Sequence, residues 1–253
     1  MTVLHPSSAS QLAHAGVVGP AGDVAQANLD RVGAEERTAI EQALGNVSPA
    51  LAELYAEILL GSIVHDLALV RYLLGGPLEV EDVDAWPDPT AASSVALSGR
   101  LPGGTRVSIR WHYLDRYPAY REEVRVHDER GSVALVFPSP YLLHAPTVLT
   151  VDEGDGDDAR EVSFRSTVEA FERQWLAFSA LALEGTAPRA GVVEGRADIV
   201  ACLQAASIVA SRLGLAVGGE AAELAGNPTS ANRPAAVDAE TTNVAEGTKE
   251  GKQ

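Results

Sequence analysis

The period of the hydrophobic pattern changes at Pro77. Upstream, apolar residues recur at helical spacing: Ala25, Leu29, Val32, Ile40, Ala43 and Leu44 predict two modest helices over 23–44, separated at Gly33. Ser48 and Pro49 supply a cap and a first helical residue for a long central helix, Pro49 to Leu74, bent near Gly61. Within it residues 58, 59, 63, 64, 67, 69, 70, 73 and 74 are apolar and cover most of the circumference, the mark of a buried helix. Gly75-Gly76-Pro77 closes it with a left-handed cap followed by a residue that cannot continue a helix.

Downstream the period is two. Alternation predicts strands over 80–86, 93–100, 105–114, 121–128, 132–137, 147–152 and 161–165, with hairpin turns at 102–104, 128–131 and 154–158. Val107, Ile109, Trp111 and Tyr113 alternate with Arg106, Ser108, Arg110 and His112, and Val124 and Val126 alternate with Glu123, Arg125 and His127. One face is thus apolar and the other charged, predicting Arg–Glu pairs between these two strands on a face that is either solvated or an interface between copies. Helical spacing returns over Thr167–Glu184, with Thr167 as cap, and over Val193–Leu213; the aromatic stripe Phe171, Trp175 and Phe178 reads as core. At the start, Thr2–Leu4 is a short edge strand leading through a Ser-rich turn and a loop to the first helix. The sum is one α+β domain over 1–220, a mostly antiparallel open sheet with helices packed on one face, followed by a disordered tail over 221–253.

Composition narrows the function classes. A formal charge of −16 opposes binding to nucleic acid. Lys249 and Lys252 are the only lysines, so the globular part offers no ammonium acid and no Schiff-base amine. No apolar run reaches the roughly 18–20 residues that cross a bilayer, and no basic-then-apolar leader opens the sequence, which makes the cytoplasm the expected compartment. Cys202 is alone and reads as a small buried thiol. The histidines lack His-x3-His spacing and there are no paired cysteines, so no metal site is expected; the acidic run 155–158 reads as a solvated turn. Gly16-x-x-Gly19-x-x-Gly22 differs from a dinucleotide loop in spacing, and Pro20 removes a backbone N–H, so the chain is expected to bind no cofactor by itself.

The candidate chemistry is His65-Asp66 in the central helix, because a His and an Asp among apolar residues must be either satisfied or used. An imidazole titrates near neutrality and can act as general acid or base. Adjacent helical residues diverge by about 100°, so Asp66 need not serve His65, and His65 is the stronger catalytic candidate of the two. Tyr72, two turns on, adds a phenol to the same face; Arg71 either holds a substrate carboxylate or offsets the helix dipole.

The run His65-x5-Arg71-Tyr72-Leu73-Leu74-Gly75, with Phe171-x3-Trp175-x2-Phe178-x6-Gly185-x2-Pro188, Gly195-x2-Asp198-Ile199 and Ala205-Ala206-Ser207, resembles the substrate-side domain of the Gfo/Idh/MocA oxidoreductases over roughly 20 to 218. Against that family's Asp-x-Gly-x-His-x-x-Asp helix, Gly61, Ile63 and Ala68 stand at the other motif positions, and only His65 carries over. Asp66 matches a Gly-Ser-His-Asp-Leu version in a smaller branch, and the family's Glu-Lys-Pro lysine has no counterpart. The resemblance implies a dihydrodipicolinate-reductase-like C-terminal domain, a small polar sugar- or polyol-like substrate, and a homo-oligomer through the open sheet. NAD(P) would be held only by a nucleotide-binding domain on another chain. Three functions stand open: the substrate half of such an oxidoreductase, a cofactor-independent enzyme using His65 for proton transfer, and a non-catalytic binding or assembly subunit.

Overall fold

A computed structural model describes residues 1–16, 23–86, 94–154 and 156–226. Its strands are β1 (Thr2–His5), β2 (Glu79–Trp86), β3 (Ser94–Arg100), β4 (Arg106–Tyr113), β5 (Arg121–Asp128), β6 (Gly131–Phe137), β7 (Thr147–Glu153) and β8 (Arg160–Ser166). They form one eight-stranded sheet in the order β2-β3-β4-β1-β5-β6-β7-β8, antiparallel except for β1 beside β4. The helices are α1 (Ser8–His14), α2 (Gln26–Leu44), α3 (Pro49–Glu53), α4 (Val64–Leu74), α5 (Ala170–Glu184), α6 (Val192–Arg212) and α7 (Gly219–Gly226). A π-helix over Leu54–Ile63 joins α3 to α4. Among the described residues no single helix is long and apolar enough to cross a membrane.

The alternating run places the later strands to within a residue or two, but the opening strand is placed differently. β1 is an interior strand rather than an edge, and it separates β4 from β5. The predicted Arg–Glu pairs between those two strands therefore do not form. Glu81 instead pairs with Arg100 and Arg106, and Glu123 with Arg121 and Arg125 of its own strand. Ser7 caps α1 where only a turn was expected, and α2 runs unbroken through Gly33. Ser48 and Pro49 start the central helix, and Gly75 ends it in the left-handed region, as expected. α5 starts at Ala170 after Glu169, leaving Thr167 outside the cap. The glycines at 19 and 22 in the opening loop and Asp155 of the acidic turn lie outside the described residues.

The core lies on one side of β2-β3-β4-β1. Val3, Val83, Val95, Leu97, Ile109 and Trp111 meet Leu54, Leu59, Ile63 and Leu67 of the central helix and Cys202, Leu203, Ala205 and Ala206 of α6, all buried. The apolar spacing explains the π segment: Leu54, Leu59, Ile63 and Leu67 follow at intervals of five, four and four, and i→i+5 winding keeps them on one face. Cys202 Sγ lies 3.5 Å from the Leu59 carbonyl, and burial, with Asp198 adding, pushes its thiol up to about 12. It is a packing residue.

Beyond β1 the same face continues, with Val124 of β5 still buried and the cover lost further along. Val3 pairs with Glu122, so Glu122, Val124 and Val126 share the core side, as do Val133 and Phe164 further along. Val133 and Phe164 are exposed. So is the stripe predicted as core: α5 buries none of its residues, and Trp175 is 71% exposed. Amphipathicity marks a helix suited to covering, and among the described residues nothing covers this one.

Past Gly218 the chain continues as a helix. α7 packs on α2, with Ala221 in the core, although composition predicted disorder from 221; residues 227–253 lie outside the described part. The approach is glycine-dependent, since a Cβ on Gly45 would lie 2.7 Å from the Gly218 Cα.

Arg71 is a clamp between α4 and α6. Its Nε and Nη2 donate to the two carboxylate oxygens of Asp198, each at 2.8 Å, and both residues are buried. A buried pair of this geometry is costly to break from one side, because the surviving charge has no partner. Arg71→Ala and Asp198→Ala should each lower stability by about 3–5 kcal/mol in urea unfolding, and the double variant Arg71→Met/Asp198→Leu should regain most of it. Losses below about 1 kcal/mol for the single variants would place the pair outside the forces holding α4 to α6.

Candidate functional site

Where the covered half of the sheet meets the uncovered half, a cavity of about 510 Å³ opens, within the size range of small-molecule sites. Ser62, His65 and Asp66 enter from the central helix, Tyr120 and Glu122 from the start of β5, Phe137 to Leu142 from the end of β6, and Val168, Glu169, Ala170, Phe171 and Gln174 from the entry into α5. The helix side is fixed by Trp111, whose Nε1–H donates to Ser62 Oγ at 2.7 Å across the core. Behind the β6 loop, Gln11 Nε2 donates to His5 Nε2 and to the Pro6 carbonyl, both at 3.2 Å, and Ser139 Oγ donates to Gln11 Oε1 at 3.4 Å. His5 is thereby held with an accepting Nε2, and burial pushes its pKa down.

The cavity concentrates carboxyl groups. Asp66 is 3% exposed, and its Oδ2 has no hydrogen-bond partner among the described residues. It stands in the first turn of α4, but the π-helix runs straight into that turn, so no free helix N-terminus is there to support its charge. Burial, and then Glu122, push the Asp66 carboxyl well above the usual range, with the Met1 amino group opposing. Glu122 is also raised by burial, opposed by the hydroxyl of Tyr120, which donates to Glu122 Oε2 at 2.7 Å. Burial and the Glu122 carboxylate push the Tyr120 phenol strongly up, so it remains a donor. Such a site can accept or hold protons at two carboxyls, donate from one phenol, and present the His65 imidazole at its rim.

Of the four residues singled out in the sequence, the structure brings two to the cavity. His65 lines it from an exposed position and Asp66 from a buried one, diverging as adjacent helical residues must. Arg71 and Tyr72 are not among the lining residues. Arg71 is turned to Asp198, and Tyr72, seven residues past His65, is about 10 Å further along the axis, exposed, with its hydroxyl 3.4 Å from Arg189. Glu122 and Tyr120 were missed. The signal for Glu122 was strand parity: if Val124 and Val126 face inward, so does the carboxylate two residues earlier. Tyr120 lies in the loop before the strand, where no period applies.

Neither a family model nor a curated protein sequence matches the chain. Solved structures do. UDP-N-acetylglucosamine 3-dehydrogenase GnnA from Acidithiobacillus ferrooxidans superposes with a TM-score of 0.50 at 21% identity, over 66% of this chain and 51% of that one. The 3-ketoreductase KijD10 from Actinomadura kijaniata, in complex with NADP and TDP-benzene, gives 0.41 at 15% identity, over 60% and 44%. The chain thus spans about half the length of the structures it matches. The likeness is one of fold: an α+β domain built on an open, mostly antiparallel sheet, as in the C-terminal half of the Gfo/Idh/MocA-type oxidoreductases.

The raised Asp66 carboxyl has a measurable consequence. The native chain keeps that proton at pH values where the unfolded chain has released it, so stability falls as pH rises from about 4 through the raised native value. Asp66→Asn removes this loss. The variant should melt above wild type at pH 7, with the gap closing toward about pH 3–4. A gap that stays constant or widens on acidification would show that Asp66 is ionised in the native state.

Proposed function

We propose that this chain is the substrate-binding half of a Gfo/Idh/MocA-type oxidoreductase acting on a small polar, sugar- or polyol-like molecule. The observation that carries the reading is the cavity itself, a pocket of ligand size in which the buried Asp66 presents an oxygen without a partner, on the fold that GnnA shares. Asp66, Glu122, Tyr120, Ser62 and Ser139 suit the hydroxyls of such a molecule, and Phe137, Tyr141 and Phe171 its carbon faces. GnnA, by name, acts on a nucleotide sugar, which supports the sugar-like class.

His65 is the group in this reading that takes the proton from a substrate hydroxyl as it is oxidised to a carbonyl, and returns it in reverse. Asp66 is a second acid behind it, held protonated by its surroundings in the empty cavity. Oxidation requires a hydride acceptor, which NAD(P) would supply from a nucleotide-binding domain outside this sequence. The cavity's own residues do not fit a pyrophosphate, since among the described residues its ionisable lining groups are carboxyls, phenols and one imidazole, with no Arg or Lys. The uncovered half-sheet and the exposed aromatic face of α5, which border the cavity, support a second body seated there, whether that domain or another copy of the chain.

Binding is the first test. Titrating isotopically labelled chain with sorbitol should move amide resonances of residues 62–66, 120–122, 137–142 and 168–174; movements clustered elsewhere would overturn the reading. With a substrate and a nucleotide-binding partner in hand, His65→Gln should lower turnover by roughly 10²-fold while the chain still binds. Full activity in that variant would make the histidine structural.

A further inference from the structure

The cavity is one-sided in charge. Its acidic lining residues are Asp66, Glu122 and Glu169, and among the described residues its only cationic candidate is His65 at the rim. Glu169 is already engaged, accepting the backbone N–H of His144, whose Nδ1 lies 3.6 Å from the same carboxylate oxygen. Tyr120 occupies one oxygen of Glu122. Asp66 Oδ2 is left, buried and unpartnered, in the wall of the cavity. An acceptor in that position is completed by a donor that the ligand brings, and a carboxyl pair is completed best by a charged one. The remaining walls include the rings of Tyr120, Phe137, Tyr141 and Phe171, whose faces attract a cation and give an anion nothing.

We infer that the ligand is a cationic polyol, a small polyhydroxylated molecule carrying a protonated amine, with the ammonium seated between Asp66 and Glu122 and the hydroxyls toward Ser62, Ser139 and His65. This deepens the reading of the cavity as the ligand site and rests on it. Anionic relatives of the same molecule, carboxylated or phosphorylated, gain no such pairing: both carboxyls would have to stay protonated beside them, and no Arg or Lys among the described residues lines the cavity to receive the charge. Burial and mutual repulsion disfavour ionisation of Asp66 and Glu122 in the empty cavity, a penalty that a bound ammonium relieves.

A matched series separates charge from shape. Glucamine, sorbitol and gluconate are six-carbon polyols carrying a positive charge, none and a negative charge at neutral pH. Calorimetric titration into the full chain should rank glucamine roughly 10-fold or more above sorbitol, with gluconate weakest. In Asp66→Asn and in Glu122→Gln, each checked for native circular dichroism, the glucamine-to-sorbitol ratio should fall toward one. Equal binding of all three, a preference for gluconate, or a glucamine advantage that survives both substitutions overturns the inference. Equal binding with resonance shifts still centred on the cavity leaves the cavity reading in place; binding of none of the three, with no shifts at the cavity, removes both.

Discussion

A carboxyl oxygen buried without a partner costs a folded chain on the order of 1–3 kcal/mol, and Asp66 Oδ2 is in that position. The architecture around it explains how the cost is sustained. Asp66 lies one turn past the π segment, on a helix anchored by Leu54, Leu59, Ile63 and Leu67 against the sheet, by Trp111 through Ser62, and by Arg71 through Asp198 to α6. With so many contacts fixing the helix, its rotation cannot relax to move one carboxyl into water. The π winding is part of the constraint, because it sets the phase at which α4 begins and therefore which side of the helix Asp66 occupies.

Much of the architecture was legible. Strand boundaries followed from period two, and the central helix from its cap, its apolar girth and its terminal glycine. What escaped was non-local. β1 is four residues long and sits in mid-sheet because of partners more than a hundred residues away, a pairing that no local pattern encodes. Arg71 reads locally as a helix-end cation, yet its meaning comes from Asp198, 127 positions on. Of the site, His65 and Asp66 were visible as a polar interruption of an apolar helix, while their relative standing was not. Burial singles out Asp66 and leaves His65 at the rim. Glu122 was hidden by attention to the charged face of its strand, although its own parity is inward.

The sheet divides the molecule into two unequal halves. Under β2-β3-β4-β1 the apolar face is sealed by the central helix and α6; beyond β1 the same face carries Val133, Val162 and Phe164 into solvent, and α5 adds Phe171, Trp175 and Phe178. Scattered exposed apolar residues need no explanation, but exposed apolar residues on a sheet face and on a helix face together are unusual for an isolated domain. The stripe on α5 therefore still reads as core by pattern, and among the described residues nothing packs over it.

The position of the cavity follows from that boundary. A pocket entirely within the sealed half would be filled by side chains at interior density, and one entirely on the uncovered half would have a single wall. At the border, the helix supplies Asp66 and His65 from one side, β5 supplies Glu122 from below, and the start of α5 closes the third side. The two carboxyls thus come from elements in different settings, one on a helix sealed into the core and one at the start of a strand whose far neighbours lack cover. The space between them therefore bridges the sealed half and the uncovered one.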